Sequence, residues 1–320
     1  MAGPVLQDSL MNILLRFRFP SVVLAGDVKQ MYRMVQVSND DRNNIRILWR
    51  WTKDEQVQEY CLNTVTYGTK SASYLATKCV QELLLSHRNQ YPISVGRAIK
   101  GIYVDDVLIG AETSEEAKRL RQELCNIFSA GGFHLRKWAS NSAEVIEEIP
   151  EEDREMKGPI DLNEPSTIKT LGIHWQPCSD KFLFSVQHVK ILQPTKRSIL
   201  SNIASLFDPL GLLAPIIIQA KLLMQRLWEL KVDWDTIPPG ELIIIWQNFV
   251  QSLALLNSFQ VPRRVISVNR ICQIFLHGYS VASEKAMGAC VYIRAVDDAG
   301  NCSSHLLCAK SKVAPIGNIS

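Results

Sequence analysis

Tyr103-Val104-Asp105-Asp106 lies inside a segment, Ile99 to Gly110, that is apolar on both sides of two aspartates. That pattern predicts a tight β-hairpin with the acids at its tip, although Asp-Asp is not the preferred turn pair. Two adjacent carboxylates between apolar strands repel by an energy of order several kcal/mol when poorly solvated. A divalent cation relieves that repulsion, and hard oxygen ligands suit Mg²⁺. For an isolated Asp-Asp pair, a solvated acidic turn is the plainer reading. A second acid changes the balance. Ser21-Val22-Val23-Leu24-Ala25 is a short apolar run of the buried-strand kind, and it delivers Gly26-Asp27 at its end. Two strands side by side would bring Asp27 against Asp105. Three carboxylates then define a site for two metal ions about 3.5–4 Å apart, an arrangement suited to phosphoryl transfer.

Outward from these acids, the pattern is mixed helix and strand. Strands are expected at 45–51 and 60–66, and a helix at 71–86. The clearest helix is 113–130, where Thr113 and Glu116 form a capping-box pattern ahead of an Ala117, Leu120, Leu124, Ile127 and Phe128 stripe, and Gly131-Gly132 ends it. Glu144 to Pro165 is acidic and carries three prolines, which predicts an exposed linker. Thr170 to Trp175 and Phe182 to Val186 read as a strand pair. Residues 195–258 read as helical, with breaks at Asp208-Pro209-Leu210-Gly211 and Pro238-Pro239-Gly240; strands follow at 271–279, 286–294 and 305–310.

The bulk properties set limits. A chain of 320 residues with 47% hydrophobic residues supports two or three sub-domains with sizeable cores. The net charge of +3 decides nothing about nucleic acid, because binding needs a local basic cleft rather than a basic average. The eight cysteines form no C-x-x-C pair and no zinc spacing, so reduced core thiols of a cytoplasmic or nuclear protein are expected. No signal peptide is evident at the N-terminus, and the runs at 216–218 and 243–245 are too short to span a membrane.

Tyr103-Val104-Asp105-Asp106 resembles the signature of retroviral and retrotransposon reverse transcriptases, and Asp27-Val28-Lys29-Gln30-Met31-Tyr32 resembles their first palm motif. The resemblance implies an RNA-directed DNA polymerase working on an RNA or DNA template with primer and dNTPs. It would use two Mg²⁺ ions, with Mn²⁺ as the alternative. It makes Asp27, Asp105 and Asp106 the metal ligands, adds the Val28 carbonyl, and casts Tyr32 as the gate against a 2′-hydroxyl. Tyr103 belongs to the same nucleotide- and template-binding set. Tyr67-Gly68-Thr69-Lys70-Ser71-Ala72-Ser73 is similar to the family's template and nucleotide grip, with Ala72-Ser73 where Ser-Pro is usual. That departure bears on the turn before the helix. Gly132-Phe133-His134-Leu135-Arg136-Lys137-Trp138 is similar to the motif whose lysine approaches the leaving group, which makes Lys137 a candidate general acid; taken alone, Arg136 and Lys137 read as surface charges. Leu171-Gly172 lies in a segment that resembles the primer-grip hairpin.

Within that group the chain resembles the polyproteins of BEL/Pao long-terminal-repeat retrotransposons. Leu206-Phe207-Asp208-Pro209-Leu210-Gly211-Leu212-Leu213-Ala214-Pro215 is the longest matching motif. The family's central segment is sometimes labelled the Pao peptidase, A17 family. An aspartic peptidase needs Asp-Thr-Gly or Asp-Ser-Gly, and neither occurs; the nearest string is Asp235-Thr236-Ile237. The expected fold is α+β. A reverse transcriptase palm with partial fingers, built on an antiparallel sheet with packed helices, covers 1–142. An acidic linker at 143–165 follows, then the primer-grip hairpin and a mainly helical thumb or connection region at 166–262. The opening of an RNase H-like mixed sheet covers 263–320. His277-Gly278-Tyr279-Ser280-Val281 has Val281 where that domain's first aspartate stands, so no RNase H activity is expected. The two readings carried forward are a reverse transcriptase fragment of a longer element and a catalytically inactive remnant that keeps the palm and binds nucleic acid weakly.

Overall fold

The computed structural model describes residues 3–156, 167–184, 194–268 and 270–316. The chain divides into two compact units. The first comprises Met1–Ile13 and Pro20–Glu164, the second Leu14–Phe19 and Pro165–Ser320. Helices and antiparallel sheets are mixed in both, as the expected α+β class requires.

Helix α1 (Leu10–Phe17) precedes the first unit's sheet, whose strands are β1 (Val22–Val28), β4 (Ile102–Tyr103), β5 (Asp106–Ala111) and β6 (Leu135–Ser140). Their order is β4-β5-β1-β6, all antiparallel. The short helix α2 (Met31–Met34) follows β1, and β2 (Arg46–Trp49) and β3 (Gln58–Cys61) form a separate hairpin, exposed along its length. The apolar run at 45–51 thus forms a strand that buries neither face. Helices α3 (Ala72–Ser86), α4 (Pro92–Gly101) and α5 (Ser114–Ala130) supply Val80, Leu84, Val95, Ala98, Leu120, Leu124, Ile127 and Phe128 to one core with Leu24, Val107, Ile109 and Trp138 of the sheet. Thr113 caps α5 by accepting the Glu116 N–H at 3.2 Å. The Glu116 carboxylate does not reach back to Thr113; it accepts the Glu112 N–H at 3.0 Å and pairs with Arg97 at 2.6 Å.

Two local expectations are corrected here. The hairpin predicted from residue 99 starts only at Ile102, because α4 runs on to Gly101. Its buried face is Val95, Ala98 and Gly101, and a Cβ on Gly101 would stand 2.1 Å from the Leu108 carbonyl oxygen. The acidic segment predicted as an exposed linker folds back at its start into α6 (Ala143–Glu147), where Val145 is fully buried, as is Ile149 just beyond the helix. Residues 157–165 of that segment lie outside the described residues.

In the second unit, β7 (Ile168–Thr170), β8 (Ile173–Gln176), β9 (Lys181–Leu183) and β10 (Gln260–Pro262) form a sheet in the order β10-β9-β8-β7. The strand predicted across 170–175 is broken at Leu171-Gly172, both at positive φ (47° and 81°), into a two-residue hairpin turn. Ser185 and Val186 of its predicted partner lie outside the described residues. Helices α7 (Lys196–Ala204), α8 (Ala214–Glu229) and α9 (Gly240–Leu253) pack through Ile199, Leu223, Leu227, Trp246 and Phe249. The break at 208–211 is held by Asp208, whose carboxylate accepts the Leu212 and Leu213 N–H groups at 2.8 and 2.7 Å. Arg263 is fully buried and bonded twice to Asp180, at 2.6 Å each. Three long strands, β11 (Ile271–Ala282), β12 (Ala286–Asp297) and β13 (Cys302–Val313), form an antiparallel meander, each longer than the apolar pattern predicted. None of the eight cysteines is the core thiol expected: Cys61, Cys79, Cys178, Cys272 and Cys302 are exposed, and Cys125, Cys290 and Cys308 are half-buried.

Candidate functional site

Strand β1 is buried from Val23 through Gly26, and it emerges at the half-buried Asp27. Its register against β5 sets Asp27 directly opposite Asp106. Opposed residues of an antiparallel pair share a face with Cβ atoms about 4.5–5.5 Å apart, so like charges there repel. The Val28 N–H donates to the Asp105 carbonyl at 2.8 Å, which ties the strand end to the acidic turn. Tyr103 pairs with Asp106, so the two turn residues are Val104 and Asp105. Only Asp105 stands at the tip; Asp106 opens β5. Val104 has φ 56°, a conformation that a β-branched residue adopts only under strain. Its N–H is fixed by the Gln7 side-chain oxygen at 2.9 Å.

Strand β6 approaches Asp27 from the other side. The register shifts between Ala25 and Asp27, so β6 carries an extra residue there and Lys137 takes φ 54°. Trp138, 1% exposed, lies against Gly26, where a Cβ would come within 2.8 Å of its ring. Arg136 then falls opposite Asp27 and donates from Nε to Oδ1 at 3.2 Å. Burial pushes the Asp105 carboxyl above its usual value. Its own backbone N–H draws it down, the Asp27 charge raises it and the Lys137 charge lowers it. The strand ends thus bring Asp27, Asp105, Asp106 and Lys137 into one neighbourhood.

Three strand-end carboxylates are a hard-oxygen donor set of the right charge and kind for Mg²⁺ or Mn²⁺. Among the described residues, no three His, Cys, Asp or Glu side chains are grouped so that they could hold a metal ion, and the Asp27 carboxylate is paired with Arg136. The donor types suit such ions, but the side chains of Asp27, Asp105 and Asp106 are not gathered into a ligand cluster in this structure.

The remaining candidates fall into two groups. Tyr32 stands in α2 just after Gln30, which has φ 49°. Its ring packs on Tyr67 at 5.0 Å, and its hydroxyl meets Ser73 Oγ at 2.9 Å. Gly68 has φ 83°, and α3 starts at Ala72 despite the missing proline. Ser73 was not legible as a partner of Tyr32, since they lie 41 residues apart in sequence. Leu171 and Gly172 belong to the second unit, where a Cβ on Gly172 would meet the Phe207 ring at 2.6 Å. Val281 is exposed on β11 opposite Gly288. The sequence alone presents Arg136 as a surface charge, because a bulge leaves no mark in the hydrophobic pattern.

The fold is similar to that of two solved foamy viral structures. The chain superposes on a foamy viral protease–reverse transcriptase in complex with an RNA/DNA hybrid with a TM-score of 0.57 and 16% identity, over 97% of this chain and 36% of that one. A foamy viral protease–reverse transcriptase, dRH, in complex with double-stranded DNA gives a TM-score of 0.59 at 15% identity, over 99% of this chain and 47% of that one. The chain therefore spans less than half the length of either. Residues 195–320 match the family described as the Pao retrotransposon-like RNaseH-like domain. That span takes in α7 to α9 as well as β11 to β13, and supports a retroelement polyprotein. None of the curated proteins compared matches the chain. Among the described residues, no helix is long and apolar enough to cross a membrane.

Proposed function

We propose that the first unit is the palm of a BEL/Pao-type reverse transcriptase, an RNA-directed DNA polymerase, and that the solved relatives' nucleic-acid binding extends to this chain. The observation that supports the proposal is the backbone register of Asp27 against Asp106 with the Val28 N–H bonded to the Asp105 carbonyl, which sets acids of two distant segments on adjacent strand ends. Asp27, Asp105 and Asp106 would hold two Mg²⁺ ions, or Mn²⁺, with the Val28 carbonyl beside them. When bound, such ions supply charge neutralisation on the triphosphate and a lowered pKa for the primer 3′-hydroxyl. The chain's own groups do the rest. Lys137 Nζ holds a proton for the leaving oxygen. Tyr32, braced by Tyr67 and Ser73, stands against a 2′-hydroxyl. Gly68 lets the template and nucleotide grip approach closely, Tyr103 supports the acidic turn, and Leu171-Gly172 form the primer grip.

The inactive-remnant reading has its own support. Val281 has no metal-binding group, and Arg136 occupies Asp27. Primer extension on an RNA template with dNTPs and Mg²⁺ separates the two. The polymerase reading expects extension by the purified chain and its loss in Asp106→Asn; no extension by the unaltered chain leaves the remnant reading. An aspartic peptidase finds no support, because Asp235 is exposed and paired twice with Arg197.

A further inference from the structure

The three-stranded sheet of the second unit treats its two edges differently. The outer edge of β13 is occupied. The Ala309 N–H donates to the Leu210 carbonyl at 2.9 Å, and the Ser311 carbonyl accepts from Lys221 Nζ at 2.9 Å. The Arg18 guanidinium donates to the Leu306 and Leu307 carbonyls at 2.8 and 2.6 Å. At the opposite edge, β11 pairs with β12 alone, and among the described residues nothing bonds its backbone from the other side. An open edge is a template for another strand, and proteins ordinarily blunt it with charge, proline or brevity. None of these is present: Ile271–Ala282 runs for 12 residues without a proline or any Asp, Glu, Lys or Arg. Ile271, Ile274, Phe275, Leu276, Tyr279 and Val281 are between 43% and 74% exposed, and their alternation puts them on both faces of the strand.

We propose that β11 is a self-pairing edge: a second copy of this chain adds its own β11 antiparallel, about a two-fold axis, and the two sheets become one. The strand suits a copy of itself. It carries no Asp, Glu, Lys or Arg to meet its like across the axis, and a two-fold contact needs only one self-complementary patch. With the axis at His277, near the middle of the strand, each Phe275 falls opposite Tyr279 of the second copy on the same face, an aromatic pair of the stabilising kind. Leu276 falls opposite Gly278, where a Cβ would meet only open space. The exposed apolar side chains of β11 present on the order of 600 Å² per copy, short of the about 800 Å² per partner of a standard stable interface. The dimer is therefore expected to be weak, with a Kd on the order of 10 µM. Because the β13 edge is already bonded, assembly closes at two copies and does not grow into a fibre.

The test is sedimentation velocity of the full chain from about 1 to about 100 µM, with amide hydrogen exchange at both ends of that range. A monomer–dimer equilibrium is expected, with slower exchange in β11 at the higher concentration. Leu276→Lys should weaken dimerisation about tenfold or more, since a charge on an edge strand opposes pairing. Val281→Lys, on the other face and also exposed, should do the same, and it carries the test if Leu276→Lys does not fold, judged by its melting curve. Leu48→Lys, on the exposed β2–β3 hairpin of the first unit, should leave the equilibrium unchanged. A monomer throughout the range overturns the inference. Association that survives the folded β11 variants, or that Leu48→Lys abolishes, overturns it too, because the contact then lies elsewhere. Exchange in β11 that ignores concentration, or species larger than a dimer, would equally defeat the closed two-fold pairing.

Discussion

Asp105→Asn should stabilise the fold while abolishing the chemistry. The Asp105 carboxyl is half-buried at a strained turn, within the field of Asp27. Burial disfavours the charged carboxylate most, and the Asp27 charge adds to it; repulsion between two carboxylates at a separation of about 5 Å is roughly 1–3 kcal/mol for effective dielectric constants between about 80 and 20. Lys137 offsets part of this, so a net gain of about 1 kcal/mol is expected in metal-free buffer. Asparagine keeps the shape and the acceptor oxygen that meets the residue's own backbone N–H. The pH dependence gives a second handle. Asp105 ionises at higher pH in the folded chain than at its usual 3.8, so folding disfavours the charged form. The penalty is full at neutral pH and disappears as pH falls through the folded-state value towards 3.8. Urea unfolding followed by tryptophan fluorescence, in EDTA at about pH 7 and pH 5, reads both effects. The variant should show a higher midpoint near pH 7 with an unchanged slope, and its advantage should shrink at lower pH. Lower stability of Asp105→Asn at neutral pH in EDTA would refute the electrostatic account of the site.

Gly26→Ala should lower stability by about 1–3 kcal/mol, because its Cβ meets the buried Trp138 ring; a shift of the melting temperature with altered tryptophan emission reads it. Thr113→Ala should cost about 1 kcal/mol at the start of α5, measured by chemical denaturation. Arg263→Met should cost about 3 kcal/mol or more in the second unit, since it leaves Asp180 without its buried partner; hydrogen exchange in β9 and β10 should rise with it.

The features legible in the sequence are those set by local pattern. Helix α5 was readable end to end because its cap, apolar stripe and terminating glycines all point one way. The three acids were readable because buried strands ended in carboxylates, and the register then brought Asp27 to Asp106. What stayed hidden depends on contacts between distant residues. The β6 bulge arises where Trp138 packs on Gly26, far away in sequence, and beside it Arg136 falls opposite Asp27. Helix α4 overran the predicted strand because Gly101 lets the β5 backbone approach. The acidic stretch after 143 concealed α6, whose single buried residue, Val145, cannot register as a periodic stripe. The turn at Leu171-Gly172 divided one apolar run into two strands because both residues take positive φ.

The central claim is that Asp27, Asp105 and Asp106 hold the ions of a nucleotidyl-transfer site. Crystals of the chain with a chain-terminated primer on an RNA template, an incoming dNTP and Mn²⁺ test it by anomalous scattering. The account predicts two peaks about 3.5–4 Å apart, bounded by these three carboxylates, with Arg136 released from Asp27. Ordered nucleotide with no manganese peak between the strand ends, or manganese held elsewhere, would contradict it.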